Sequence, residues 1–165
     1  MIRPAQLRDD IIVPVLTLLA GVTEPPPGGQ ENAVELLLGT AMQESHCGDY
    51  LAQVHGPALG VWQMEPATEV DIWNTFLAFR NSLRAAVRNL VVPAMPRTAQ
   101  LAGNLYYACA MARVKYMRTK DPMPAAGDLP AQAAFYVKVY NAGGKATVEE
   151  YLGNYRLLQG ALVGG

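Results

Sequence analysis

Apolar residues recur at helical spacing along most of this chain, and alternation of apolar and polar residues with a period of two is nearly absent. Between residues 34 and 42, for example, Val34, Leu37, Leu38 and Ala41 form one apolar stripe of a helix. The pattern predicts an all-α fold, with at most a small hairpin in the loop that follows this helix. Since no repeat, low-complexity tail or linker divides the sequence, we predict a single domain over residues 1–165.

Prolines, glycines and capping residues indicate where the helices begin and end. Asp128, followed by Pro130, is typical of a helix start, and so is the pair Thr147 and Glu150. Gly143 is typical of a helix end. The predicted helices are about 11–20 (with Pro14 in a first turn or at a kink), 31–45, 66–79, 83–92 (capped by Ser82), 98–119, 129–140 and 148–158, and residues 24–29 and 49–63 are predicted loops.

The composition limits the classes of partner. The chain is 51% hydrophobic and only 16% charged, which predicts a well-buried core and favours docking to a partner, because excess apolar surface is usually covered. A net charge of −1 provides no basic field for nucleic acid. Basic residues on the predicted helices are expected to be solvated; they are Arg84, Arg88, Arg113, Lys115, Arg118 and Lys120.

Neither a membrane span nor a secretory signal is recognisable. The apolar run 11–19 is too short to cross a bilayer, and no cleavable apolar segment follows Met1. We therefore expect a soluble protein.

Cysteine and histidine residues do not indicate a disulfide framework or a metal site. Cys47 and Cys109 lack the CxxC spacing, so we expect two free thiols, with a single disulfide as the alternative. His46 and His55, taken with Cys47, match no zinc pattern. We expect no metal and no cofactor.

Glu44 is the strongest candidate for chemistry. It ends an apolar helix, beside Ser45 and just before a glycine-containing loop. Apolar neighbours raise the pKa of a carboxyl group and keep it protonated near neutral pH, as a general acid for glycosidic cleavage requires. The alternative is a surface glutamate at a helix end, and spacing alone favours this alternative.

Three segments resemble the soluble lytic transglycosylases and goose-type lysozymes. They are Glu44-Ser45, then Gly60-Val61-Trp62-Gln63-Met64-Glu65-Pro66-Ala67-Thr68, and finally Val139-Tyr140-Asn141-Ala142-Gly143. That family has Glu-Ser at the end of its catalytic helix, then Gly-Leu-Met-Gln, commonly continuing into Pro-Ala-Thr, and later Ala-Tyr-Asn-Ala-Gly. The resemblance spans roughly residues 36–144.

The chain departs from the family pattern at several positions. Val61-Trp62 replaces Leu-Met, Val139 replaces Ala, and Glu65 stands where the family usually has an apolar residue. The segment 47–57 has no motif match.

The resemblance implies a lysozyme-like domain whose groove binds the glycan strands of peptidoglycan. Glu44 would protonate the oxygen between N-acetylmuramic acid and N-acetylglucosamine. It would then act as base while the substrate's own 6-hydroxyl forms a 1,6-anhydro product. The substrate-binding residues would be Ser45 through its hydroxyl, Gln63 and Asn141 through amide contacts to N-acetyl groups, and Tyr140 by orienting Glu44 or the substrate.

Two tryptophans could stack on sugars. Trp62 lies within the groove motif and is the better candidate, whereas Trp73 lies at core spacing and is predicted to be packed.

Two alternatives remain open. Hydrolysis of the same bond needs a positioned water and usually a second carboxylate, about 6.5–9.5 Å away for inversion or about 5 Å for retention. The candidates are Glu65, Asp49 and Asp71, and Glu65 is nearest the motif. The other alternative is a non-catalytic module of a bacteriophage virion or tail that keeps this fold.

A bacteriophage source fits the lack of a recognisable signal peptide. A phage enzyme reaches the periplasmic cell wall from the host cytoplasm through a holin, or as part of the virion. Phage virion or tail proteins are therefore expected partners.

Overall fold

The computed structural model describes residues 1–23 and 29–163, so the predicted loop at 24–29 lies almost wholly outside the described residues. Over these ranges the chain forms eight helices and no strand, which confirms the all-α prediction. Two isolated antiparallel bridges, Ala52 with Leu59 and Leu59 with Met64, occur where a small hairpin was allowed.

The helices follow the predicted order. Helix α1 comprises Pro4–Gln6, the π-helical Leu7–Ile12 and Val13–Ala20; α2 is Gln30–Ser45; α3 is Pro66–Asp71, extended by the π-helical Ile72–Phe76 and the 3₁₀ turn Leu77–Phe79. Then come α4 at Asn81–Arg88, α5 at Gln100–Gly103, α6 at Leu105–Met117, α7 at Leu129–Phe135 with its π-helical extension Tyr136–Tyr140, and α8 at Val148–Val163. Among the described residues, no helix is both long and apolar enough to cross a bilayer.

Helix α6 lies at the centre of the core. Most of its residues from Tyr107 to Tyr116 are buried, as expected of a helix that is apolar on nearly every side. It contacts α1, α2, α4 and the extension of α7. Cys109 on this helix and Cys47 after α2 are both buried free thiols.

Helix α1 begins earlier than predicted. Pro4 occupies its first turn, where a missing N–H costs nothing, and Arg3 before it is extended, as a residue preceding proline prefers. Pro14 lies in the first turn of the last segment, directly after the π-helical turn in which the Val13 N–H bonds the Arg8 carbonyl. The wider turn suits the proline, which cannot donate to a carbonyl four residues back.

The single helix predicted over 98–119 is wrong, because Asn104 divides it. Asn104 is extended, with φ −108° and ψ 92°. Its side chain accepts the Tyr107 N–H at 3.1 Å and donates to the Leu90 carbonyl at 2.8 Å. An asparagine that satisfies backbone groups in this way favours a cap over a helix interior.

Helix α4 is shorter than predicted, and Ser82 does not cap it. The chain leaves the helix after Arg88 and is held by the buried side chain of Gln100. That amide accepts the Val92 N–H at 2.9 Å and donates to the carbonyls of Val92 at 2.9 Å and Met95 at 3.1 Å.

The predicted caps of the last two helices are confirmed. Asp128 accepts the Ala131 N–H at 3.1 Å. Thr147 and Glu150 bond each other's backbone N–H groups, at 3.2 Å and 2.8 Å. Gly143, after α7, has a φ of +81°, the left-handed conformation predicted for this helix end.

Candidate active site

Glu44 lies in the last turn of α2, where the chain reverses into the return loop, residues 46–65. The reversal uses left-handed backbone at His46 (φ +47°) and Cys47 (φ +56°), and the Cys47 N–H bonds the Ala41 carbonyl at 2.9 Å. This end of α2 leaves the Glu44 side chain half-buried at the wall of a cavity.

Ser45 holds the return loop to α2. Its fully buried hydroxyl donates to the Val61 carbonyl at 2.7 Å and accepts the Gly48 N–H at 2.8 Å. The prediction that Ser45 offers its hydroxyl to a substrate is wrong for this structure, because the group is inaccessible and already bonded within the protein.

Trp62 is a core residue. Its side chain is 1% exposed, and its indole N–H donates to the Leu37 carbonyl of α2 at 3.0 Å. Sugar stacking by Trp62 is therefore excluded in this structure, since both faces of the ring are packed. Trp73 is packed as predicted, with its N–H bonded to the Tyr107 hydroxyl at 2.8 Å.

The return loop approaches α5 closely at Gly60. Gly60 has a φ of +80°, and a Cβ there would lie 1.8 Å from the Leu101 carbonyl oxygen, so only glycine fits. Gln63 follows with a φ of +41°, and its Nε2 donates to the Gly60 carbonyl at 2.7 Å. Its Oε1 is buried without a hydrogen-bond partner in the described part of the chain.

Tyr136, which the sequence analysis did not single out, holds the Glu44 carboxyl. Its hydroxyl donates to Glu44 Oε1 at 2.6 Å. Tyr140, predicted to orient Glu44 or the substrate, is 3% exposed and bonds the Trp62 carbonyl at 2.8 Å. The two tyrosines lie four residues apart, on one face of the extension of α7. Because Tyr140 was a predicted site residue, this helical spacing was the sequence signal that could have identified Tyr136.

A cavity of about 520 Å³ brings most of the predicted site residues together. The described lining residues are Glu44, Tyr50, Gln53, Ala58, Gln63, Glu65, Thr68, Lys115, Tyr140, Asn141, Ala142, Gly143 and Gly144. Tyr50, Gln53 and Lys115 were not predicted. The Tyr50 hydroxyl donates to the backbone carbonyl of Glu44 at 2.6 Å.

Burial raises the pKa of Glu44, whereas the Tyr136 hydrogen bond and the Lys115 charge lower it. Because burial is the largest effect, the Glu44 carboxyl holds its proton to higher pH than a solvated glutamate. Lys115 was expected to be solvated, but it lies at this cavity with its Nζ 3.9 Å from the centroid of the Tyr140 ring. Burial lowers the pKa of Lys115, and the charges of Glu44 and Glu65 oppose that effect.

Of the three candidate second carboxylates, Glu65 lines this cavity. Asp49 pairs with the Met1 amine at 3.1 Å, and Asp71 pairs with Arg118 at 2.8 Å; neither is a described lining residue. Within residues 1–23 and 29–163, no group of three or more His, Cys, Asp or Glu side chains could hold a metal ion.

No protein-family model matches this chain, and neither a curated protein nor a solved structure matches it. The chemistry of the site is therefore inferred from its geometry: a protonatable carboxyl, one oxygen of which is held by a tyrosine, at the wall of a mostly polar cavity.

Proposed function

We propose that the protein cleaves the β-1,4 bond between N-acetylmuramic acid and N-acetylglucosamine in peptidoglycan, by a lytic transglycosylase mechanism with Glu44 as acid and base. The observation that carries the proposal is the half-buried Glu44 carboxyl, with a raised pKa and a 2.6 Å bond from Tyr136, at a cavity of about 520 Å³. A groove of this volume accommodates sugar rings.

Glu44 first acts as the general acid. Tyr136 occupies Oε1, and Oε2 has no hydrogen bond among the described residues, so the proton is carried by Oε2. Glu44 gives this proton to the glycosidic oxygen as the bond to the anomeric carbon breaks, and positive charge develops on the muramic acid ring.

Glu44 then acts as the base. The substrate's own 6-hydroxyl attacks the anomeric carbon and loses its proton to the Glu44 carboxylate, which gives the 1,6-anhydro ring and restores the acid. Between the two steps Glu44 is charged, and the nearby Lys115 ammonium stabilises that carboxylate electrostatically.

Amide groups in the cavity supply contacts for N-acetyl substituents. Gln63 Oε1 and Asn141 Nδ2 are a buried acceptor and a buried donor without protein partners in the described part of the chain, so a rotation of each side chain must bring the atom to the ligand. Both residues line the cavity. A buried polar atom without a partner costs free energy, so a ligand amide that bonds it gains correspondingly.

Hydrolysis of the same bond is the second candidate, and the observation that favours it is Glu65 at the same cavity. Glu65 is exposed and would act as the second carboxylate, either activating a water or stabilising the sugar cation.

The decisive experiment is mass spectrometry of the soluble products after incubation of the purified protein with peptidoglycan. Anhydro-muramic ends support the transglycosylase, whereas reducing muramic ends support hydrolysis. We expect Glu44→Gln to reduce product release by about a thousandfold, because it removes the transferable proton. The matched variant Glu65→Gln should release anhydro products at a rate close to that of the wild type.

Three outcomes would contradict this mechanism. Full activity of Glu44→Gln would exclude Glu44 as the acid, and loss of activity in Glu65→Gln alone would favour hydrolysis. A folded protein that binds several wall types without releasing any product would favour the non-catalytic virion or tail module.

A further inference from the structure

A second cavity, of about 500 Å³, lies between the end of α3, the start of α4 and the central helix α6. It shares no described lining residue with the candidate active site. We call it the Arg113 cavity; its lining includes Phe76, Arg80, Asn81, Ser82, Arg113 and Met117. The inference drawn from it does not depend on the proposed glycan cleavage.

Arg113 is buried and has no partner in the described part of the chain. Its side chain is 7% exposed, and among the described residues it makes no hydrogen bond and no ion pair. The expectation that Arg113 lies on a solvated helix face is therefore wrong. Burial lowers the pKa of its guanidinium to about 10, so the group is still charged at neutral pH. The guanidinium lines the cavity, and a largely buried charge without a counter-charge nearby favours an anion there.

The contrast with Arg97 shows how this protein neutralises a guanidinium next to its core. Arg97 bonds the fully buried Glu69 at 2.5 Å and 3.3 Å. No carboxylate is among the described lining residues of the Arg113 cavity.

The start of helix α4 adds donors on the same cavity. Asn81 and Ser82, its first two residues, line the cavity, and no side chain caps the helix. The first backbone bond of this helix is from the Arg84 N–H to the Arg80 carbonyl, so the earlier N–H groups have no acceptor within the helix. These groups and the positive end of the helix dipole favour an anion.

Arg80 brings a second guanidinium to the cavity. It donates to the Phe76 carbonyl at 3.0 Å, and its Cζ lies 3.6 Å from the centroid of the Phe76 ring. These contacts hold the guanidinium beside the start of α4.

We propose that the Arg113 cavity binds a phosphate group. Arg113, Arg80 and the start of α4 all line this cavity and offer donors to it. A tetrahedral phosphate presents its oxygens in several directions and carries more negative charge than a carboxylate, whose two oxygens lie in one plane. The apolar side chains of Phe76 and Met117 line the remainder, so the natural ligand is a phosphorylated molecule with an apolar part.

The test measures the melting temperature of the full chain in inorganic phosphate and in sodium chloride of equal ionic strength. Phosphate should raise the Tm of the wild type beyond the effect of chloride, because it binds the folded state. Arg113→Met should bind phosphate at least about tenfold more weakly, as expected for loss of a charged hydrogen bond. Its Tm without phosphate should not fall, because an apolar side chain replaces an unpaired buried charge.

A second variant tests the backbone donors. Asn81→Pro removes one N–H at the first helical position, where proline is well tolerated, and should weaken phosphate binding while α4 still forms. Arg88→Met, at the exposed end of the same helix, is the matched control and should bind phosphate like the wild type.

The proposal is overturned if phosphate and chloride act equally on the wild type, or if Arg113→Met keeps its response to phosphate. If acetate stabilises the wild type as strongly as phosphate, the assignment of phosphate is wrong.

Discussion

At the scale of single residues, the proposed chemistry depends on how Glu44 is held. Two opposing effects act on the pKa of its carboxyl group. Burial favours the protonated form, whereas the Tyr136 hydrogen bond and the Lys115 charge favour the carboxylate. A group that first donates and then accepts a proton must be able to adopt both the protonated and the charged form during the reaction. The balance between these two effects allows Glu44 to do so.

Tyr136→Phe tests the balance. Removal of the hydroxyl abolishes a hydrogen bond that lowers the pKa of Glu44, so the pKa rises further. Because the acid step needs protonated Glu44, activity is lost as the pH rises through this pKa. The loss should therefore occur at higher pH in the variant, with a lower maximal rate because Glu44 is less well oriented. The pH dependence of product release measures both effects.

Tyr140→Phe is the matched control for this prediction. Tyr140 bonds the Trp62 carbonyl rather than Glu44, so its variant should lose activity at the same pH as the wild type. An equal shift in both variants would mean that Tyr136 does not act through its bond to Glu44.

At the scale of elements, the close packing of α2 against α8 fixes the helix that carries Glu44. Gly39 of α2 faces Tyr151 of α8, and a Cβ at Gly39 would lie 1.9 Å from the Tyr151 hydroxyl. Tyr151 is fully buried, so it has little room to move.

Gly39→Ala should therefore destabilise the fold by about 1–3 kcal/mol through overpacking, although alanine favours a helix. The control is Gly153→Ala on α8, which is exposed and has no atom within 4 Å of an added Cβ. That variant should be more stable than the wild type by up to about 1 kcal/mol. Denaturant unfolding of the three proteins measures both changes, and a stabilised Gly39→Ala would refute the packing argument.

At the scale of the whole molecule, a buried polar cluster connects segments that are distant in the sequence. Glu69 of α3 has no exposed surface and pairs with Arg97, which lies between α4 and α5. The Tyr107 hydroxyl of α6 also donates to Glu69 and accepts the Trp73 N–H. The Arg97 guanidinium lies 4.6 Å from the centroid of the Trp73 ring.

Glu69→Ala should lower the free energy of unfolding by about 3–5 kcal/mol, because it leaves Arg97 and Tyr107 without their acceptor. Asp71→Ala, on the same helix, removes an ion pair with Arg118 that is partly exposed. It should cost less than about 1 kcal/mol. Thermal or denaturant unfolding measures the stability of both variants. Similar losses of stability in the two would show that the buried cluster contributes no more than an ordinary surface ion pair.

The sequence by itself determined the helical class, most helix ends and the position of Glu44 at the end of an apolar helix. Helical spacing, the Asp128 cap and the box formed by Thr147 and Glu150 act over three or four residues, so neighbouring residues carry the whole signal. The break at Asn104 was missed because its side chain also bonds the carbonyl of Leu90, fourteen residues away.

Only the tertiary structure decided which side chains face the two cavities. Tyr136 reaches Glu44 across 92 residues of sequence, and Trp62 is turned inward by the Leu37 carbonyl 25 residues before it. Lys115 and Arg113, two residues apart on α6, line different cavities because neighbouring helices cover the rest of that helix. The direction of a side chain in a packed core depends on contacts between distant segments, and local spacing does not encode them.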